Sequence, residues 1–177
     1  MKRLTILAVT TLFCSLSFIA SAQNDMKQVK NESSDQPYKV GATKITIGNP
    51  AYAQKVLWAW KYYDDNMLDK AADLLADDIL ATLPDGTVIK GKDAFMKGIK
   101  DYRNTFTSAT STVDACTTLK SPDMADVEVV TIWGEETDTA KDGTITKVHL
   151  NEVWFFNKQG KVVEFHQMAA KENPKNK

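Results

Sequence analysis

The sequence is poor in cysteine, histidine, glycine and proline. Its 177 residues include two cysteines, two histidines, eight glycines and five prolines. Cys14 lies in an apolar stretch near the N-terminus, so removal of that stretch would leave Cys116 alone, with no disulfide inside the chain. Stability must then come from a hydrophobic core. Cys116 is interpreted as a small core or strand residue rather than as a nucleophile.

An excess of charge of one sign is also missing. The chain has 22 lysines and arginines against 23 aspartates and glutamates, which gives a formal net charge of −1. No basic block is present, and this argues against nucleic acid and anionic membranes as partners. There is no glycine motif for a nucleotide, and two histidines without a third ligand make a poor metal site. The sequence therefore predicts neither a metal nor an organic cofactor.

The first 22 residues have the pattern of an export signal. Lys2 and Arg3 precede the apolar residues 4–19, and the small residues 20–22 follow as a cleavage pattern. The apolar run is short and rich in serine and threonine, which is untypical of a membrane span. We therefore expect an exported protein, periplasmic or secreted, with no membrane anchor after cleavage.

The remaining chain is predicted to form one domain between two polar segments. Residues 23–48 are interpreted as a polar, flexible tether with one short strand at residues 44–47. The domain is predicted to cover residues 49–172, and residues 173–177 to form a polar tail. About 125 patterned residues are enough for a single hydrophobic core.

The first half of this domain has helical periodicity. Asn49 and Pro50 form an N-cap and a first helical position, and aromatic residues then recur at helical spacing. A shorter helix is predicted to end at Asp77 and Asp78, where the two aspartates are interpreted as capping residues rather than a catalytic pair. A third helix is predicted over residues 92–106, with an apolar stripe at Phe95, Ile99, Tyr102 and Phe106.

The second half alternates with period two, as strands do. A hairpin is predicted from residues 79–83 and 87–89, and long strands follow at residues 107–119, 126–137, 144–156 and 161–168. Three helices followed by long strands predict an α+β domain with helices on one face of a curved antiparallel sheet. Because a long sheet curls, the helices should enclose a cone-shaped pocket.

Glu152 is the residue whose position demands most explanation. Alternation places it on the same strand face as Leu150, Trp154 and Phe156. A carboxylate among apolar side chains is either paired, or partly protonated because burial raises its pKa. Its candidate partners are Gln167, Tyr102 and Thr131. His149 falls on the opposite strand face.

Several short motifs follow one another in a characteristic order. They are Trp60 before Asp64-Asp65-Asn66, Leu74-Leu75-Ala76-Asp77-Asp78, Pro84-Asp85-Gly86, Gly91-Lys92-Asp93-Ala94 and Trp154-Phe155-Phe156-Asn157-Lys158-Gln159-Gly160-Lys161-Val162-Val163. Their order and spacing resemble the nuclear transport factor 2-like superfamily, close to its SnoaL-like and ketosteroid isomerase-like branches. The resemblance covers roughly residues 50–170 and implies the cone-shaped α+β fold. It does not imply one activity, because this fold hosts enzymes, carriers and interaction modules.

Transfer of the family's functional residues to this chain succeeds only in part. Glu152 matches the acid that supplies one arm of the oxyanion site in ketosteroid isomerase-like proteins. Leu83 occupies the position of their proton-abstracting base, and Ala59 that of their helix tyrosine. Met168 and the two alanines after it replace the end of the last strand, where SnoaL-like cyclases have an aspartate. The resemblance therefore implies the pocket and argues against steroid-type proton shuttling.

The function predicted first is binding of a small, mainly apolar or aromatic molecule. Glu152 and Gln167 would orient the ligand by hydrogen bonds, and the other wall residues would supply apolar contact. One alternative is an isomerase, lyase or hydrolase with Glu152 as the catalytic general acid or base; another is a dimeric interaction module with a vestigial pocket. A homodimer through the convex sheet face is expected from Val153 and Phe155. The predicted wall comprises Trp60, Tyr63, Leu83, Phe95, Ile99, Tyr102, Val129, Thr131, Leu150, Glu152, Trp154, Phe165 and Gln167.

Overall fold

The structure, a computed structural model, describes residues 37–124 and 126–171. The chain divides into two units, Met1–Lys39 and Val40–Lys177, and every helix and strand below belongs to the second. The predicted signal peptide, the first part of the tether and the polar tail lie outside the described residues. No helix within the described ranges is long and apolar enough to cross a membrane.

Seven strands and three helices make up the described domain. In chain order they are β1 (Thr46–Ile47), α1 (Pro50–Asp64), a 3₁₀ helix (Leu68–Leu74), β2 (Leu75–Thr82), β3 (Val88–Lys90), α2 (Lys92–Arg103), β4 (Phe106–Lys120), β5 (Val127–Ala140), β6 (Ile145–Asn157) and β7 (Val162–Lys171). This order confirms the predicted α+β class. The short strand predicted within the tether is present, and it pairs with β4 at the edge of the sheet.

Helix α1 begins where the sequence predicts. The Asn49 side chain accepts a hydrogen bond from the backbone N–H of Ala51 at 3.0 Å, and Pro50 stands at the first helical position. The cap supplies a partner for one backbone N–H that the first helical turn leaves unpaired. Val56, Ala59, Trp60 and Tyr63 form the buried face, so this helix presents two aromatic rings to the sheet.

Replacement of Asn49 by alanine should lower the free energy of unfolding by about 1 kcal/mol, because the N-cap acceptor is lost. Chemical denaturation measures the change. Gln54→Ala is the matched control, since Gln54 is an exposed residue within the same helix and makes no cap. Equal losses in the two variants would contradict a capping role for Asn49.

Helix α2 is shorter than predicted. It ends at Arg103, and Phe106 already belongs to β4, so the predicted stripe continues across a turn instead of along one helix. Phe95 and Met96 are buried, whereas Tyr102 is 56% exposed. The buried residue near the helix end is Arg103, whose guanidinium binds backbone carbonyl groups and can therefore leave water.

The seven strands form one curved sheet in the order β1-β4-β5-β6-β7-β2-β3. All neighbouring strands are antiparallel except β2 and β7, which are parallel. The sheet is therefore mixed, where the sequence predicted an antiparallel one. The hairpin predicted from residues 79–83 and 87–89 is formed by β2 and β3. Strands β6 and β7 form a second hairpin, and its register places Glu152 directly opposite Gln167.

The secondary structure predicted for Asp77 and Asp78 is wrong. The helix before them ends at Leu74, and both aspartates lie inside β2 with exposed side chains. Leu75 and Ile79 take the buried positions of that strand instead. Asp77 forms an ion pair with Lys92, so the pair of aspartates is neither a helix cap nor a cluster in the pocket.

The prediction that Val129 and Thr131 line the pocket is also wrong. Strand β5 buries Val130 and Ile132, and Ile132 stands opposite Glu152 on the inner face. Because side chains alternate along a strand, Val129 and Thr131 project from the outer face. Thr131 therefore cannot be the partner of Glu152.

Candidate functional site

A cavity of about 490 Å³ lies between the helices and the inner face of the sheet. Its size falls within the usual range of pockets for small molecules. Most of its wall is apolar, with polar groups at a few positions. The predicted residues that line it are Trp60, Tyr63, Leu83, Phe95, Ile99, Tyr102, Leu150, Glu152, Trp154, Phe165 and Gln167.

Glu152 is held in this wall by three N–H donors. Its Oε2 atom accepts hydrogen bonds from Trp60 Nε1 at 2.6 Å and from Trp154 Nε1 at 3.0 Å. Its Oε1 atom accepts one from Gln167 Nε2 at 2.8 Å. The donors come from α1, from β6 itself and from β7, so three elements fix the carboxyl group. Of the candidate partners that the sequence offered, the structure selects Gln167.

The environment of Glu152 acts on its protonation in two opposing directions. Burial disfavours the charged form and raises the pKa of Glu152, while the three hydrogen bonds act to lower it. Burial is the larger effect, so the pKa remains raised above that of an exposed glutamate. Glu152 is consequently a carboxyl group that can take up or release a proton inside an apolar cavity.

Aromatic rings build the wall around this carboxyl group. Phe165 packs edge-on against Trp154 with ring centroids 4.7 Å apart, and against Phe95 at 5.5 Å. These contacts connect β6, β7 and α2 through one ring. They also fix the tryptophan that donates to Glu152, so apolar packing determines the orientation of the polar group.

A second polar group in the cavity was missed by the sequence prediction. Glu136 lines the wall, and Asp138 follows it on the same buried face of β5. Burial, followed by the charge of Asp138, raises the pKa of Glu136. The pKa of Asp138 is raised by burial as well. Alternation from Val130 and Ile132 past Gly134 leads to both acids, but only once the inner face of β5 is known.

Polar atoms of α1, α2 and β4 surround this acidic pair. Tyr63 was predicted only as a wall residue, yet its hydroxyl is buried and has no hydrogen-bond partner. Ser111 also lines the cavity and donates from Oγ to Asp64 at 2.8 Å. Arg103 donates from Nε to the Tyr63 carbonyl at 2.8 Å and from Nη2 to the Asp64 carbonyl at 2.9 Å.

The positions that carry the base and the tyrosine in ketosteroid isomerase-like proteins are apolar here. Leu83 and Ala59 both line the cavity, so the apolar side chains do face the interior. Among the residues after Gln167, Met168 is half exposed and Ala169 lines the cavity. Glu152 is thus the only one of the transferred positions that carries an ionisable side chain.

The histidines lie away from this chemistry, and Cys116 does not line the cavity, although the charge of Glu152 acts on its thiol. His166 contacts the Glu164 carboxylate at 2.7 Å, and His149 lies 3.7 Å from Glu135, both on the outer face of the sheet. The Cys116 thiol contacts a backbone carbonyl, and burial raises its pKa to about 11. Within residues 37–124 and 126–171, no group of three or more metal-ligating side chains is assembled.

Solved structures with the same fold come from several bacteria. A nuclear transport factor 2-like protein of unknown function from Burkholderia pseudomallei is 21% identical, with 67% of this chain and 90% of that chain covered at a TM-score of 0.56. A proposed scytalone dehydratase from Novosphingobium aromaticivorans is 13% identical (70% and 87% covered, TM-score 0.59). A proposed SnoaL-like polyketide cyclase from Shewanella denitrificans is 10% identical (69% and 92% covered, TM-score 0.57).

Similarity at these identities establishes the fold and leaves the activity open. No curated protein matches this chain in sequence. The profile of the SnoaL-like domain matches residues 57–165, which include most of the helices and most of the cavity wall, with Glu152 among them. The chain therefore belongs to the SnoaL-like domain family, within the nuclear transport factor 2-like superfamily.

Proposed function

We propose that this domain binds a small, mainly apolar molecule in its cavity, and that Glu152 and Gln167 orient that molecule. The observation that carries the proposal is a cavity of about 490 Å³ whose aromatic wall holds a fixed, buried carboxyl group. Apolar contact supplies roughly 25 cal/mol per Å² of buried ligand surface, and a few polar groups fix orientation. A protein that needed only a packed core would gain stability by filling this volume.

The place of action proposed for the domain is outside the cytoplasm. The support is the sequence of residues 1–22, which has a basic start, an apolar stretch and a small-residue cleavage pattern. An exported binding domain without a disulfide depends on its core for stability. The core residues Val56, Ile79 and Phe156 are fully buried.

Native mass spectrometry of residues 23–177, purified from an exporting host, tests the binding proposal. We expect a co-purified small molecule, or stoichiometric uptake of one from a library of apolar and aromatic metabolites. Leu83→Trp should abolish the adduct, because Leu83 lines the cavity and the larger ring fills part of it. Val88→Trp is the matched control, since Val88 is exposed on the neighbouring strand.

Two results would count against the binding proposal. One is a protein that takes up no library member, and the other is an adduct that survives equally in both tryptophan variants. The same spectra give the subunit number. A homodimer is proposed through the outer sheet face, where Trp133 is 39% exposed and Val153 and Phe155 are half-buried.

A catalytic function is the second candidate, and one observation favours it. Glu152 is a buried carboxyl group with a raised pKa in the cavity wall, as a general acid or base requires. Isomerase, lyase and hydrolase chemistry are the classes that a single carboxyl group can serve. Glu152→Gln should then retain ligand binding and lose turnover, whereas a pure binding domain would have no turnover to lose.

A further inference from the structure

The ionisable residues of the cavity wall all have one sign. Asp85, Glu136 and Glu152 line the cavity, while no lysine, arginine or histidine does so among the described residues. An anionic ligand would meet no opposite charge there. The wall therefore selects for neutral or positively charged molecules.

The hydrogen-bonding groups of the cavity wall also favour a ligand that carries donors. Gln167 donates one N–H of its amide to Glu152, which leaves its amide oxygen as an acceptor beside one remaining N–H. Ser111 donates its hydroxyl to Asp64, so its oxygen can only accept. The wall thus offers mainly acceptors, and a ligand that satisfies them must bring donors.

The two buried acids of the wall, Glu152 and Glu136, differ in the number of hydrogen bonds that they accept. Glu152 accepts three N–H donors, whereas Glu136 accepts none from the described residues and makes its hydrogen bond to the Asp138 carboxyl group, as the donor when it is protonated. Glu136 lies four residues from Ile132, the residue opposite Glu152, so the acids are about 13 Å apart along β5. An incoming positive group gains more at Glu136, because no donor there has to be displaced.

The wall near Glu136 also has a polar group without a partner. Tyr63 is 9% exposed, the residue lines the cavity, and its buried hydroxyl has no hydrogen-bond partner. Asp138, behind Glu136, likewise has one buried carboxyl oxygen without a partner. Buried polar atoms left unpaired are costly, and a ligand that binds them removes that cost.

Arg103 does not neutralise this end of the cavity directly. Its guanidinium donates to the backbone carbonyls of Tyr63, Asp64 and Phe106. It forms no ion pair within 4 Å in the described part of the chain. The acidic groups therefore outnumber the one buried cation, and none of them is in contact with it.

We propose that the molecule bound in the cavity carries a protonated amine on an apolar frame, with the ammonium at Glu136 and the Tyr63 hydroxyl. A charge-assisted hydrogen bond to a buried carboxylate is about twice as strong as a neutral one. The ring of Tyr63 already has the Arg103 guanidinium 5.6 Å from its centroid, so the attraction for the ammonium comes from the Glu136 carboxylate and the Tyr63 hydroxyl. This inference rests on the proposed binding function and specifies its ligand class.

Protonation of the site should change when the ammonium binds. Burial raises the pKa of Glu136, and a nearby cation favours the ionised carboxylate, so binding should release a proton. As the pH rises and Glu136 ionises, the affinity for an ammonium should increase until the amine itself loses its proton. The titratable and charged groups around Glu136 are Asp64 and Tyr63 of α1, Tyr102 and Arg103 of α2, Asp138 of β5 and Glu152 of β6.

Three probes of nearly equal shape test the proposal on the full mature chain. Naphthylethylamine, naphthylethanol and naphthylacetate present a cation, a neutral hydroxyl and an anion on the same apolar frame. Titration calorimetry at pH 7 should show the amine binding about tenfold tighter than the alcohol, and the acetate binding weakest. Repetition in buffers of different ionisation enthalpy measures the released proton.

Glu136→Gln and Tyr63→Phe locate the preference within the cavity. Glu136→Gln keeps the side-chain volume and removes the charge, so the tenfold preference for the amine should disappear while the alcohol still binds. Tyr63→Phe should reduce it by a few fold, because only one neutral hydrogen bond is lost. Glu135→Gln is the control, since Glu135 projects from the opposite face of β5 and pairs with Lys147.

The possible results distinguish a failure of the ammonium site from a failure of ligand binding in the cavity. Alcohol binding as tight as amine binding would overturn the ammonium site and leave the cavity a binding site. An amine preference unchanged by Glu136→Gln, or equally reduced by Glu135→Gln, would overturn it too. If none of the three probes binds, the ammonium proposal falls together with binding of small apolar molecules.

Discussion

Replacement of Glu152 by alanine should lower the free energy of unfolding by about 3 kcal/mol or more. The carboxyl group is the shared acceptor for Trp60 Nε1, Trp154 Nε1 and Gln167 Nε2. Each buried donor that loses its partner costs about 1–3 kcal/mol, because it has left water and gains nothing in exchange. The loss is reduced where water enters the space that the side chain vacates.

Glu152→Gln should cost much less, about 1 kcal/mol. Its amide oxygen still accepts from both indole N–H groups. Its new amide donor faces Gln167, whose own amide can turn to present an oxygen instead of a nitrogen. This pair of variants separates the hydrogen-bonding role of Glu152 from its charge.

Chemical denaturation of both variants at pH 7 provides the measurement. Glu164→Ala is a suitable control, because Glu164 is a partly exposed glutamate on the neighbouring strand whose partner is a histidine. If Glu152→Ala were no less stable than Glu152→Gln, the three hydrogen bonds would not be what holds the pocket wall together. A large loss in Ala with a small one in Gln supports the geometry described here.

The partner of Glu152 could be predicted from the sequence because an inward Phe165 places Gln167 on its own strand face. The turn at residues 158–161 alone would not have been enough, because a register shift beside Phe156 means that counting from the turn would place His166 opposite Glu152. Glu152 and Gln167 fall on the same inner face and pair directly. The wall residues of α1 follow similarly from Asn49 and the helical spacing of aromatic residues.

The face of β5 could not be assigned from hydrophobicity alone. Its two faces carry similar apolar content, with Val129 on one and Val130 on the other. The inner face also carries Glu136 and Asp138, which a simple rule of polar residues outside would turn to solvent. The inner acids make this strand violate the usual pattern, and such violations concentrate at functional sites.

Glu136 should make the free energy of unfolding depend on pH. Glu136 ionises freely in the unfolded chain near its ordinary pKa of 4.5, but burial and the charge of Asp138 raise its pKa in the folded protein. Above pH 4.5 the folded state therefore binds more protons than the unfolded state, and the free energy of unfolding falls as the pH rises. The fall amounts to at most about 1.4 kcal/mol per pH unit for one group and continues until the raised pKa is passed.

Glu136→Gln should remove most of the loss of stability that accompanies rising pH. The amide keeps the volume of the side chain, needs no proton to be neutral and can still donate to the Asp138 carboxylate. At pH 5 the variant and the parent protein should be nearly equal in stability. At pH 8 the variant should be more stable by on the order of 2 kcal/mol, because the parent must either bury a charge or hold a proton against the solvent.

Urea denaturation at pH 5, 6, 7 and 8 measures this difference as a change of slope. The variant should still lose some stability with rising pH, since burial also raises the pKa of Asp138 and Glu152. Glu135→Gln should leave the slope unchanged or make it slightly more negative, because the ion pair of Glu135 with Lys147 keeps the pKa of that outer carboxyl low. Parallel pH profiles for Glu136→Gln and the parent would mean that Glu136 is ionised in the folded protein throughout this range. Such a loss of stability at neutral pH would support the proposal that Glu136 serves ligand binding, because a residue kept only for stability would not carry this cost.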